Sequence, residues 1–148
     1  MANYAAPLDD FAHLYRRVFP LSALAKDCRF PGDVDDALVD AILSEADKFA
    51  QQVLLPINAS GDQIGCQWSQ GRVTTPDGFR EAYQQFVEQG WQTLTGAPSH
   101  GGQGLPHCVK TLAEQIFYAC NASFCLYTSL THGALLAMET YAEGWWRD

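Results

Sequence analysis

Four places in the chain carry residue types that could do chemistry. The first is the glycine loop Ser99 to His107, SHGGQGLPH. A phosphate cradle needs a preceding strand and, as a rule, a Lys-Ser/Thr pair at the start of the following helix. No strand pattern precedes this loop, and Gly104 is followed by Leu105-Pro106. His100-Gly101-Gly102 is also similar to a lipase oxyanion loop, but that requires a Gly-x-Ser-x-Gly elbow, which the sequence lacks. The remaining reading is a tight turn between helices, in which glycine supplies positive φ.

The second place is His100, His107 and Cys108, whose spacing matches no zinc pattern. No metal site is expected. The third is Cys120 and Cys125, five positions apart and so on different sides of a helix. They read as small core residues. The fourth is the set Phe124, Tyr127, Thr128, Thr131 and Leu135, which falls on one helical stripe with hydroxyls among apolar groups. Such a face can line a slot for a flexible apolar ligand with a polar end. It can equally be a core helix whose threonines bond back to the i−4 carbonyls. No acid–base pair can be argued: Asp33, Asp35, Asp36 and Asp40 crowd one helix start, where the helix dipole favours them and water solvates them.

Helices must position these residues. One is expected from about Pro7 to Val18, with Leu8, Phe11, Leu14, Tyr15 and Val18 on a stripe; Pro20 closes it, and Leu21 to Pro31 reads as a connection. A second is expected from an Asp33 N-cap, burying Val34, Leu38, Ile42, Phe49 and Val53 and ending or kinking at Leu55 before Pro56. From Asn58 to Thr74 the stripe is lost, which predicts a loop or short hairpin. Thr75-Pro76 looks like an N-cap and first helical position, opening a helix that buries Phe79, Ala82, Tyr83, Phe86 and Val87 and stops at Gly90. A glycine-containing loop, Trp91 to Leu105, follows. A fourth helix starts near Pro106 and presents Val109, Leu112, Ala113, Ile116, Phe117 and Cys120. A fifth, capped by Asn121 or Ser123 and running to Tyr141, is apolar on most of its circumference and is expected to be buried. The fold class is all-α, a bundle of about five helices with two irregular glycine-containing loops.

Composition limits the function classes. The chain has 148 residues, 47% of them hydrophobic, enough for one domain with its own core. With 17 acidic and 9 basic residues its formal net charge is −8, which disfavours nucleic acid as a partner. Aromatic residues at 12% disfavour disorder. The five cysteines are scattered, a poor disulfide framework. The most apolar stretch, Phe124 to Met138, is too short and too polar to span a bilayer, and the N-terminus has no signal-peptide pattern. These features predict a cytoplasmic protein with reduced thiols.

Three segments taken together carry a resemblance: VLLPIN (Val53 to Asn58), GWQTLTGAPSHGGQGLP (Gly90 to Pro106) and EQIFYACNASFCLYTSLTHGA (Glu114 to Ala134). In this order and spacing the chain resembles, over roughly residues 3 to 142, the N-terminal helical domain of the flavin-dependent acyl-CoA dehydrogenases. The opening Tyr4 to Asp10 resembles the extra N-terminal segment of one subgroup, which includes the 3-methylmercaptopropionyl-CoA dehydrogenases and related bacterial long-chain forms. The resemblance implies an N-terminal extension over 1–32, the helical domain over 33–142 and a non-matching tail over 143–148. It implies α,β-dehydrogenation of an acyl-CoA thioester, with a glutamate base and FAD as hydride acceptor. An electron-transferring flavoprotein then takes the electrons, and the complete enzyme is a homo-oligomer. Phe124, Tyr127, Thr128 and Thr131 match the helix that walls the acyl-chain slot. In this family a middle β-domain and a C-terminal helical domain hold most of the flavin site, and the latter holds the base. Neither domain is present in these 148 residues. The expectation is therefore no catalytic residue in this chain and no activity by the chain alone. A different expectation is a stand-alone helical interaction module whose exposed face binds a protein, with the uncovered fifth helix and Trp145-Trp146 as apolar patches prone to self-association.

Overall fold

A computed structural model describes residues 4–24 and 34–144. Cys28, the Asp33 cap, part of the Leu21 to Pro31 connection and the tail Trp145-Trp146 lie outside the described residues. The described chain is all-α apart from one small hairpin.

Helix α1, Leu8–His13, continues into a π-helical turn, Leu14–Val18, and α2 is a single turn, Leu21–Leu24, within what the sequence reads as a connection. Phe11 and Tyr15 are buried, whereas Leu14 and Val18 of the expected stripe are exposed. The Tyr15 hydroxyl and Arg16 both bond the Asp40 carboxylate, and Arg16 is 3.5 Å from Asp36. Two of the clustered aspartates thus tie the first helix to the next rather than facing water alone.

The next helix is capped by Asp35, whose carboxylate accepts from the Leu38 amide at 2.8 Å. α3, Asp36–Phe49, runs through a π-helical turn, Ala50–Leu54, straight into α4, Leu55–Ile64. The expected break at Leu55 does not occur: its φ of −61° and ψ of −42° are helical. The π turn ends just before Pro56, which falls in the first turn of α4, where a missing N–H costs little. The buried line is Val39, Leu43, Ala46, Phe49, Ala50 and Leu54. Phe49 of the expected stripe is on this line, Val34, Ile42 and Val53 flank it partly buried, and Leu38 is 41% exposed.

Residues 58–64 are helical, a correction to the expected loop. The sequence shows no stripe there because the core-facing position is Gly61. A Cβ on it would lie 2.5 Å from the ring of Phe79. Beyond it, β1, Gln67–Ser69, pairs antiparallel with β2, Arg72–Thr74, with Trp68 opposite Val73. Gln70 and Gly71, at φ 48° and 77°, form the two-residue turn.

α5, Phe79–Glu88, starts after left-handed Gly78 without a side-chain cap, so Thr75-Pro76 precedes the helix rather than opening it. It buries Phe79, Ala82 and Phe86 but leaves Tyr83 and Val87 substantially exposed. Gly90, at φ 77°, ends it as expected. The loop that follows holds two 3₁₀ turns, Trp91–Thr93 and Pro98–His100. Its arms are joined by Gln103 N to Thr93 O at 2.9 Å, Gly104 N to Gly96 O at 3.0 Å and Leu105 N to Leu94 O at 2.8 Å. At the crossing, a Cβ on Gly102 would lie 2.1 Å from the Gly96 carbonyl carbon.

α6, His107–Tyr141, is two helices joined at Asn121, whose φ of −157° and ψ of 85° are not helical. The expected fourth and fifth helices are its halves. The ring of His132 lies 5.6 Å from that of His107, so the second half folds back along the first. Because His107 is where α6 begins, residues 133–141 run past that end. The expected burial of the fifth helix therefore holds only for its first turn. Phe124 and Cys125 are buried, but Leu126, Leu130 and Tyr141 are 62%, 76% and 82% exposed. None of the other described elements covers that face.

Phe49, Phe86, Trp91, Phe117, Phe79 and Phe124 form a continuous aromatic core between the long helix of residues 36–64, α5 and α6. Neighbouring ring centroids are 5.1 to 6.2 Å apart, mostly edge-on.

Candidate functional site

The fold-back of α6 leaves a cleft between its two halves, with the 3₁₀ turn after α5 closing one side. It is narrow: a water-sized group finds about 20 Å³ of room there, and the rest opens to solvent. Phe86, Trp91, Leu94 and Phe117 make the apolar floor, with Ala113 and Cys125 on the helix walls. Lys110, Glu114, Thr128 and His132 add polar groups from both halves of α6, and Gln92 and Tyr118 stand at the margin. These positions come together because the two antiparallel half-helices present matched faces.

Lys110 is 8% exposed, and its ammonium donates to the Glu114 carboxylate one helical turn on. Two opposite charges in one partly dry cleft leave no net charge there. Burial, with help from Lys110 and His107, lowers the His132 pKa, which favours the uncharged imidazole.

The four candidate wall residues of the stripe go to different places, and the fifth stripe residue, Leu135, is exposed. Phe124, 1% exposed, packs edge-on against Phe79 and Phe86 in the core. Tyr127 packs against Phe79 at 5.9 Å, and its hydroxyl is 2.8 Å from Cys66 Sγ. That hydrogen bond, then burial, pushes its pKa up to about 12. Thr128 lines the cleft, and its hydroxyl donates to the Cys125 carbonyl at 3.0 Å, the i−3 rather than the i−4 oxygen. Thr131 is exposed. Only Thr128 of the four borders the cleft.

Of the other candidates, His100 sits on the exposed 3₁₀ turn, and His107 meets His132 edge-on. Among the described residues, no three His, Cys, Asp or Glu side chains converge as a metal-binding group. Cys120 and Cys125 are buried in the core, as expected, and burial raises their thiol pKa values to about 11 and about 12. Lys110, Glu114 and His132 were missed from the sequence. The signals were present: a lysine beside Val109 on an otherwise apolar face, a carboxylate at i+4, and a histidine one turn after Thr128. Periodicity alone does not show that the lysine is buried.

The cleft is thus a narrow one, walled by two antiparallel half-helices with an ion pair on one of them. The chain belongs to the acyl-CoA dehydrogenase family. The relationship is carried by the 3-methylmercaptopropionyl-CoA dehydrogenase of Ruegeria pomeroyi, to which this chain is 40% identical over 107 residues. That match takes in 72% of this chain and 18% of the relative, so the chain spans less than a fifth of that enzyme's length. No family model matches the chain.

The family implies FAD, and the described residues do not fit it. Their cleft is narrow, with an ion pair along one wall, and no buried side-chain polar atom among them is left without a partner. A fused three-ring flavin with a pyrophosphate needs a wide slot and several unspent donors.

Proposed function

We propose that the chain forms one wall of the acyl-chain pocket of an acyl-CoA dehydrogenase, as its N-terminal helical domain over 33–142 with an extension over 1–32. The observation that carries this is the apolar cleft between the two halves of α6, with Thr128 on its wall. Phe124 fixes the position of that wall from behind, and Tyr127 braces it against Phe79. Thr131 continues the same face toward residues outside the cleft.

In this reading the reaction is α,β-dehydrogenation of an acyl-CoA thioester. This chain binds and orients the acyl group and excludes water from it. Flavin supplies the hydride acceptor in the complete enzyme, and neither the base nor the flavin site belongs to these residues. Glu114, the carboxylate on the cleft, is engaged by Lys110 and is no free base. An electron-transferring flavoprotein, a homo-oligomeric complete enzyme and a cytoplasmic location belong to the same proposal. The free thiols of Cys66, Cys120 and Cys125 suit a reducing compartment.

The test is an absorbance spectrum of the purified chain after incubation with FAD and an acyl-CoA, then desalting. The expected result is no retained flavin. Retained flavin that bleaches with acyl-CoA would overturn the assignment of flavin and base to other domains.

A second reading, a helical interaction module without catalysis, draws on the exposed Leu126, Leu130, Leu135, Leu136 and Met138 of α6. Exposed apolar surface of this extent marks a contact site. In a multidomain dehydrogenase the same face would be covered by the neighbouring domains.

A further inference from the structure

The second half of α6, residues 122–141, turns one face away from every other described element. At about 100° per residue, Leu126, Leu130, Gly133, Ala134, Ala137 and Tyr141 fall within about 100° of its circumference. All six are exposed. His132, which lines the cleft, and Glu139 lie on the opposite side of the helix. Glu139 is the one acidic or basic residue of this half-helix, so the outer face is uncharged in a chain of net charge −8. Gly133 sits in mid-helix, where an added Cβ would meet nothing within 4 Å. Glycine weakens a helix interior, and no contact among the described residues calls for it there; close approach by a second backbone does.

This face is complementary to itself. About a two-fold axis between Gly133 and Ala134, two antiparallel copies set Gly133 of one against Ala134 of the other. Leu130 then meets Ala137, and Leu126 meets Tyr141. Small residues at the axis let the helices approach, each Leu130 fills the space over an alanine, and the large ends cover each other. We propose that the chain pairs with a second copy of itself through this face, as an antiparallel two-fold dimer centred on Gly133 and Ala134. The inference rests on the interaction-module reading, whose partner it names. A basic partner would find no carboxylate on the face, and an anionic lipid surface would find no lysine or arginine beside it. The six residues expose on the order of 600 Å² per copy, at the low end of what a stable pair buries.

The test is sedimentation equilibrium of the full chain. It should pass from monomer to twice the 16.3 kDa chain mass, half converted on the order of 10 μM, with no larger species. Leu130→Glu buries a carboxylate on each copy and should raise the dissociation constant at least about a hundredfold. Gly133→Leu should weaken pairing by roughly tenfold or more, yet leave helix content by circular dichroism unchanged or higher, because leucine is the better helix former. Leu126→Lys and Tyr141→Glu should each weaken pairing, and their mixture should pair more tightly than either alone, because the antiparallel register sets lysine against glutamate. A chain still monomeric at about 200 μM, or one that binds phosphatidylcholine vesicles but not itself, would overturn the proposal. So would mass that climbs past two copies, a dimer indifferent to both Leu130→Glu and Gly133→Leu, or a mixture that pairs no better than its parts. A monomer removes the second copy and leaves the module reading with another partner. Flavin retained by the dimer and bleached by acyl-CoA would remove the module reading and leave the pairing.

Discussion

Asn121 Nδ2 donates to the Leu54 carbonyl at 3.1 Å, joining the turn of α6 to the place where the π-helical segment meets α4. The same side chain accepts from the Phe124 amide at 2.9 Å and so caps the second half of α6. One fully buried amide thereby fixes the fold-back that makes the cleft.

Replacing it should be costly. Asn121→Ala leaves the buried Phe124 amide without its cap and removes the link to Leu54, and should lower stability by about 1–3 kcal/mol. Asn121→Ser keeps an oxygen for the cap and loses the link to Leu54, so its loss should be smaller. Urea unfolding of the two variants, compared by midpoint at constant slope, checks the order. Equal losses would show that the Leu54 bond contributes nothing.

The glycine loop makes a separate prediction. Gly101 has positive φ but open space around it, so Gly101→Ala should cost about 1 kcal/mol of backbone strain. At Gly102 the added methyl meets the Gly96 backbone, and Gly102→Ala should cost about 2–3 kcal/mol by forcing the arms apart. Thermal melts of both variants would reveal the difference. A tolerated Gly102→Ala would mean that the arms do not cross so closely.

Burial raises the thiol pKa from 9.0 to about 11 at Cys120 and to about 12 at Cys125. The folded chain thus holds these protons more tightly than the unfolded one. The stability this gives is fully present below about pH 9 and is lost as pH rises toward the folded values. Tyr15 and Tyr127, both raised to about 12, act in the same direction at higher pH. The urea midpoint should therefore fall above pH 9, and fall less steeply in a Cys120→Ala/Cys125→Ala double variant. At pH 8, iodoacetamide should modify neither residue until denaturant is added, as peptide mass mapping would show.

Much of this architecture was legible in the sequence where apolar spacing and punctuation agreed. Gly90 stops α5, Asn121, one of the two caps that the sequence offers, starts the second half of α6, and Phe86 and Phe117 enter the core. Sequence reading failed where a contact outweighed a local rule. The π-helical turn carries the chain through Pro56, and Gly61 hides a helix because a ring from α5 occupies its core-facing side. At the site, spacing put Phe124, Tyr127, Thr128 and Thr131 on one face. That face divides among core, brace, cleft and surface because the neighbouring half-helix covers only part of it. Lys110 was invisible as a site residue because only the fold-back of α6 buries it.

The most direct test of the acyl-pocket wall is photolabelling with an acyl-CoA that carries a diazirine near the end of its acyl chain, followed by peptide mapping. The account predicts labels on cleft residues of α6 and the turn at Trp91, suppressed by excess unlabelled acyl-CoA. Labels confined to the exposed Leu126–Leu130 face, or labelling that competitor does not reduce, would contradict it.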